Sequence, residues 1–196
     1  MRLLIATFNQ GKLEDYQAFC KNWGIMAVNL KDVGITEEFE EKFDTFEENA
    51  ASKAEFYAKL SDLPTLADDS GIEIPYYGMQ PGVKTKRWAG EAIKGQAYFD
   101  FILQKVKEIP EGQRQGQMRA VLALSTDGQT HLAEGVIQGH FTDKVYEKSF
   151  TPDYPWDPLF VLNENGKYYE ELSHEENLKF NHRRIALEKL KKFLIK

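Results

Sequence analysis

The opening stretch of the chain restricts its fold more than any other part. Leu3, Leu4 and Ile5 make a short apolar strand, the polar loop Thr7-Phe8-Asn9-Gln10-Gly11-Lys12 follows, and Leu13, Tyr16, Phe19, Cys20 and Trp23 then recur at helical spacing up to Gly24. Residues 25–30 are apolar enough for a second strand. Two strands separated by a whole helix do not form a tight hairpin. They pair in parallel with the helix laid over them, which places the chain among α/β proteins.

Further along, Thr45-Phe46-Glu47-Glu48 has the form of a capping box and opens a helix to about Ser61, with Phe46, Ala50, Ala54, Tyr57 and Ala58 on its buried side and Pro64 beyond its end. Thr65, Leu66 and Ala67 resume as a strand that breaks at Asp68-Asp69-Ser70-Gly71 and continues through Ile72, Glu73 and Ile74. Tyr98, Phe101, Ile102, Lys105 and Val106 mark a third helix, ended by Pro110. Residues 118–125 and 131–138 flank Asp127-Gly128, a hairpin turn in which both residues tolerate positive φ, so the sheet becomes mixed there. A second hairpin is expected between 159–162 and 167–170. Ser173-His174-Glu175-Glu176 is another capping box, and Ile185, Leu187, Leu190 and Leu194 supply the apolar side of a terminal helix. The expected fold is an elongated mixed sheet flanked by helices, with two lobes and a central cleft, formed by residues 1–196 as one domain.

Composition narrows the function. A formal charge of -6 opposes binding to a nucleic acid polymer, which depends on neutralising phosphates with Lys and Arg. Any small anionic ligand needs locally placed cations or a metal. The one cysteine, Cys20, excludes an internal disulfide, suits a reducing compartment, and is expected to pack in the core. No apolar run approaches the ~20 residues that span a bilayer, and no secretory leader precedes the first strand, so a cytoplasmic protein is expected.

Five places carry candidate chemistry. At Thr7-Phe8-Asn9-Gln10-Gly11-Lys12, amides at a helix start, a glycine and a lysine suit a phosphate; an ordinary strand-to-helix turn is the alternative. It is not a Walker A loop, since Leu13 stands where Ser or Thr would bind the metal. Asp68 and Asp69 lie between apolar neighbours, where two adjacent carboxylates are costly to bury unless a cation such as Mg2+ holds them; a capped turn is the other reading. Glu48 occupies the third position of its capping box, and can be either a site carboxylate or only a cap. In the run Phe150-Thr151-Pro152-Asp153-Tyr154-Pro155-Trp156-Asp157-Pro158, rigid aromatics can stack on a base that Asp157 reads, or pack in the core. Asn181-His182-Arg183-Arg184 offers directional donors to a base or phosphate, or else forms a solvated helix surface. Glu37 to Glu41 reads as a solvated acidic stretch.

In their order and separation these elements resemble the inosine triphosphate pyrophosphatase family over nearly the whole chain. The first loop is similar to that family's T-G-N-x-x-K, Glu48-Asn49-Ala50 with Lys53 to E-N-A-x-x-K, and Leu66-Ala67-Asp68-Asp69-Ser70-Gly71 to L-A-D-D-S-G. Pro81-Gly82-Val83 with Arg87-Trp88-Ala89-Gly90, Trp156-Asp157-Pro158 with Phe160, and His182-Arg183 complete the set. The resemblance implies a usually dimeric, Mg2+-dependent hydrolase that splits ITP, dITP and XTP into monophosphate and pyrophosphate. It implies Asp69 as proton acceptor, Asp68 and Glu48 with it at the metal, and Lys12, Lys53, Ser70 and the Thr7, Asn9 and Gly11 loop on the phosphates. His182, Arg183 and Asp157 would then read the purine, with Trp156 beside it. Phe8 replaces a loop glycine, Tyr154 stands where a base-stacking phenylalanine is expected, Asn177 takes the place of a lysine and Asn181 that of a serine. These departures concentrate at the base-reading end, so two alternatives stand beside the main reading: the same hydrolysis on another or modified nucleotide, and a catalytically silent nucleotide binder.

Overall fold

The structure is a computed structural model that describes residues 1–146 and 154–195. Of the aromatic and proline-rich run, Phe150, Thr151, Pro152 and Asp153 lie outside the described residues.

The opening stretch folds as its pattern dictates. Strand β1 (Arg2–Ile5), helix α1 (Gln10–Lys21) and strand β2 (Met26–Asn29) form a crossover unit in which β1 and β2 pair in parallel, Leu3 opposite Ala27 and Leu4 opposite Val28. Helix α2 (Phe46–Ser61) leads into β3 (Thr65–Ile74), which pairs with β1 in parallel at Leu4–Thr65 and Ile5–Leu66. Then come β4 (Gln80–Gly82), α3 (Gly95–Glu108), β5 (Gln115–Thr126), β6 (Gln129–Phe141), β7 (Phe160–Leu162), α4 (His174–Phe180) and α5 (His182–Leu194). Among the described residues the strands lie in the order β2-β1-β3-β5-β6-β7, with β4 antiparallel on β3. The mixed sheet and its helices are the expected α/β class. At the β5–β6 turn, Asp127 and Gly128 have φ of 51° and 74°, the pair of positive values a two-residue hairpin of matching twist requires.

The chain forms two compact units from interleaved segments: Met1–Ser70, Ala120–Gly135 and His182–Lys196 in the first, Gly71–Arg119 and Val136–Asn181 in the second. The first unit is built on Leu3, Leu4 and Ile5, the α1 face with Leu13, Tyr16, Phe19 and Cys20, and Leu187 and Leu190 of α5, all buried. The second buries Ile74, Ile102, Val106, Phe141 and Phe160, and stacks Trp88 on Trp156 with ring centroids 6.0 Å apart. No helix among the described residues is long and apolar enough to cross a membrane.

Four local expectations need correction. β3 does not break at Asp68-Asp69; it runs unbroken with both faces covered, as a central parallel strand does. Tyr168 makes one bridge to Val161 and then enters a short turn, so 167–170 is not a strand. The terminal helical region is two helices, because Asn181 is extended (φ -83°, ψ 122°) and separates α4 from α5. Ala58 and Ile185 are only partly covered, the buried positions being Phe46, Ala50, Ala54 and Tyr57 on α2 and Ala186, Leu187, Leu190 and Leu194 on α5.

Candidate active site

Everything that converges chemically in the first unit converges on Asp68. The approach begins at the β1–α1 loop. Asn9 caps α1, its side-chain oxygen accepting from the Lys12 N–H at 2.9 Å, while its own N–H donates to Thr7 Oγ1 at 3.1 Å. Gly11 lies in the first turn and Phe8 is exposed at the loop. The cap fixes the start of α1 and so aims Lys12 inward, where Nζ donates to Asp68 Oδ1 at 2.8 Å.

Because β3 is a regular strand, Asp68 and Asp69 point to opposite faces and acquire different partners. Arg183 Nε lies 3.2 Å from Asp68 Oδ2, and Ser70 Oγ is within 3.5 Å of the same oxygen. Burial alone would raise the Asp68 pKa, but Lys12, then Arg183 and Lys53, hold it well below the ordinary carboxylate range. The Lys53 and Lys12 charges reach Asp69 as well, but do not outweigh its burial and the Glu41 charge. Asn49 Nδ2 donates to Asp69 Oδ2 at 2.9 Å, and burial followed by the Glu41 charge pushes Asp69 up to about 6.

Helix α2 supplies Asn49 and Lys53, one turn apart on one buried face. Asn49 is itself held by a two-way link to the Phe43 backbone, N–H to Oδ1 at 3.0 Å and Nδ2 to the carbonyl at 3.1 Å. Lys53 Nζ donates to the Asp68 carbonyl oxygen at 2.6 Å and to Glu41 Oε1. Burial opposes its charge, but Glu41 and then Asp68 raise the Lys53 pKa above the usual lysine value.

Helix α5 brings the third cation. Its first residues pack against β6 at Gly135, where any Cβ would overlap the His182 carbonyl oxygen. Only glycine permits that approach. Arg183 is thereby buried, with Nη2 donating to Ser70 Oγ at 3.3 Å and Nη1 3.6 Å from Asp15 Oδ2. His182 is buried too, and burial followed by the Arg183 charge lowers its pKa well below the usual value, so its imidazole is neutral at physiological pH. The solvated-surface reading of His182-Arg183 is therefore excluded.

Not every expected residue joins this cluster. Glu48 is exposed, its N–H donating to Thr45 Oγ1 at 3.2 Å and its Oε2 accepting from the same hydroxyl at 2.7 Å, so the Thr45 half of the expected capping box forms and the Glu48 side chain bonds the cap's hydroxyl instead of its backbone N–H. Glu48, Asp68 and Asp69 do not come together: among the described residues no group of three or more His, Cys, Asp or Glu is set to hold a metal. Lys53 shares no face with Glu48. In the second unit, Trp156 is 3% exposed and clasped by Trp88 and, edge-on at 5.3 Å, by Phe141, so its ring is core packing. Tyr154 and Asp157 are half-buried at a short turn, and Asn177 Oδ1 accepts from Asn181 Nδ2 at 3.2 Å.

Three residues of the site were given no role by the sequence. Glu41, taken as part of a solvated stretch, is the partner of Lys53, while Glu37, Glu38 and Glu40 are exposed as expected. Asn49 orients Asp69, and its placement in a helix interior four residues before a lysine was a usable cue, because asparagine is unfavourable there without a partner. Asp15 flanks Arg183, and no spacing pointed to it.

A cradle with three cations around one carboxylate, at a capped loop, can exchange that carboxylate for a more highly charged anion. Comparison with known proteins agrees in fold and family. The Ham1 family matches residues 3–193. The dITP/XTP pyrophosphatase of Bacillus subtilis is 38% identical over 192 residues, covering 97% of this chain and 96% of that one. The dITP/XTP pyrophosphatase of Caldanaerobacter subterraneus is 34% identical over 197 residues, covering 100% and 97%. Among solved structures, the Ham1 protein of Staphylococcus aureus superposes with a TM-score of 0.82 at 30% identity, over 99% of this chain and 98% of that one. With the matches spanning essentially its whole length, the chain belongs to the Ham1 family.

Proposed function

We propose that the chain hydrolyses nucleoside triphosphates with deaminated purine bases, dITP and XTP among them, at the α–β anhydride to give the monophosphate and pyrophosphate. The observation that carries this reading is the charge arrangement on β3: Lys12, Lys53 and Arg183 gathered at Asp68, beside an Asp69 whose pKa of about 6 leaves it ionised yet basic near neutrality.

Lys12, Lys53, Ser70 and Arg183 hold the polyphosphate, together with the amides of the loop that Thr7, Asn9 and Gly11 shape. They neutralise charge that accumulates on the phosphoryl oxygens. Asp69 takes the proton from the attacking water, oriented by Asn49. A divalent cation, Mg2+ in this reading, would neutralise the departing pyrophosphate. Glu41 and Asp69 fit such an ion better than the trio expected from sequence, since the Glu41 charge raises the cost of ionising Asp69 and a cation relieves it. The resemblance gives Tyr154, Asp157, Asn177 and His182 to the base, and a cytoplasmic homodimer as the assembly; both belong to the same proposal. Arg183, expected at the purine, is assigned instead to the phosphates on the strength of its contacts with Asp68 and Ser70.

A panel of triphosphates with pyrophosphate detection tests the reading. ITP, dITP and XTP should be turned over well ahead of ATP and GTP. Equal rates across the panel would reject the base preference, and binding without Mg2+-dependent turnover would reject the enzyme.

A further inference from the structure

Glu41 stands in a stretch with no ladder of its own. Residues 35–43 carry no regular secondary structure, so their backbone polar groups rely on side chains or solvent. One stripe of α2 meets this segment in step. Asn49 is bonded both ways to the Phe43 backbone, and Lys53, one turn on, to the Glu41 carboxylate. Tyr57, one turn further, takes the backbone on either side of Glu38: its hydroxyl accepts from the Phe39 N–H at 3.0 Å and donates to the Glu37 carbonyl oxygen at 2.9 Å. Four residues of helix advance about 6 Å and two of extended chain about 7 Å, so alternate residues of the segment meet successive turns of α2.

Asn49 and Lys53 also hold the site, through Asp69 and the Asp68 carbonyl oxygen. Tyr57 is bonded to the segment that carries Glu41. Its ring is 2% exposed and packs edge-on against Phe56 with centroids 5.0 Å apart, while Phe56 lies 5.6 Å from the Phe39 ring. A hydroxyl can accept from an N–H and donate to a C=O at once; phenylalanine would fill the same space and do neither.

We infer that Tyr57 is a positioning residue that holds Glu41 at Lys53, and through Glu41 the divalent ion, a role that rests on the metal reading of Glu41 and Asp69. Glu41 so placed is near enough for its charge to act on Asp69. Without the hydroxyl, Glu41 keeps Lys53 as a partner but loses the backbone anchor on its N-terminal side.

Calorimetric titration of the full chain with Mg2+ reads the ion. Tyr57→Phe, which keeps the ring and its packing, should weaken Mg2+ binding about tenfold, the lower end of the range for residues that orient metal ligands. Urea unfolding without metal reads the placement of Glu41 itself. The coupling between Glu41→Gln and Lys53→Met, measured by a double-mutant cycle, should fall by about half or more when the cycle is repeated in a Tyr57→Phe background. A coupling that survives Tyr57→Phe intact overturns the inference even if the variant is less stable, because loss of stability alone is what two ordinary hydrogen bonds would give. Unchanged Mg2+ affinity, in a parent that binds the ion, overturns it too. A parent that binds no Mg2+ removes the metal reading, and a coupling lost on Tyr57→Phe in that parent still supports the hold of Tyr57 on Glu41.

Discussion

Asp68→Asn is the most demanding perturbation the site permits. The amide keeps the size and position of the side chain but removes the charge that balances Lys12 at 2.8 Å and Arg183 at 3.2 Å, both held in the protein interior. Breaking a buried ion pair by neutralising one partner costs about 3–5 kcal/mol, because the other charge stays buried and uncompensated. For a chain of this size each kcal/mol displaces the melting temperature by roughly 2–4 °C, so a fall of roughly 6–20 °C is expected near neutral pH. The pH dependence has a definite sign. Asp68 is held well below the ordinary carboxylate range, so its contribution is fully present above roughly pH 4, the unfolded value, and disappears as acid takes the pH down through the lower folded value. Urea unfolding of parent and variant followed by circular dichroism, at pH 7 and at progressively lower pH, should give a constant gap down to about pH 4 and a narrowing one below it. A gap at pH 7 smaller than about 1 kcal/mol, or one that widens on acidification, would refute the account of Asp68 as the permanently charged centre of the cluster.

Asp69 should behave in the opposite way. Burial and Glu41 raise it from the ordinary value to about 6, so the folded state binds its proton more tightly and loses stability as pH rises from about 4 to about 6. Asp69→Asn should therefore stabilise the chain by about 2 kcal/mol at pH 8 and hardly at all at pH 4, while turnover falls about a hundred- to ten-thousand-fold; a variant less stable than the parent at pH 8 would contradict the strain assigned to this carboxylate. Glu41→Gln should lower both turnover and Mg2+ affinity in a metal titration, whereas Glu48→Gln, which can still accept from the Thr45 hydroxyl, should leave both within about twofold. The reverse ranking would return the metal role to Glu48.

The sequence made legible whatever depends on neighbours in the chain. The β1–α1–β2 crossover, the Thr45 and Ser173 caps and the Asp127-Gly128 turn each rest on residues within one or two turns of one another, where spacing is a faithful guide. The cluster's cations were identified because Lys12, Lys53 and Arg183 sit within recognisable motifs. What escaped depends on distance. Nothing local distinguishes Glu41 from Glu37, Glu38 and Glu40; it differs because Lys53, on the next helix, reaches it. Asp68 and Asp69 looked like partners because they are adjacent, yet adjacency in a strand separates side chains to opposite faces once the strand proves continuous. Trp156 could stack on a ligand or on another ring, and only the fold placed Trp88 against it.

The first unit's charge balance joins ends of the chain that are remote in synthesis. Arg183 and Asp68 are 115 positions apart, and the segment between them contains the whole of the second unit. A nascent chain can therefore complete β3 and dock α1 on it long before its guanidinium emerges from the ribosome, and until then Asp68 has only the lysines to balance it. Closure of so wide a loop is slow relative to helix formation. The cradle for the polyphosphate is thus among the final parts of the molecule to mature, and incomplete chains lack it.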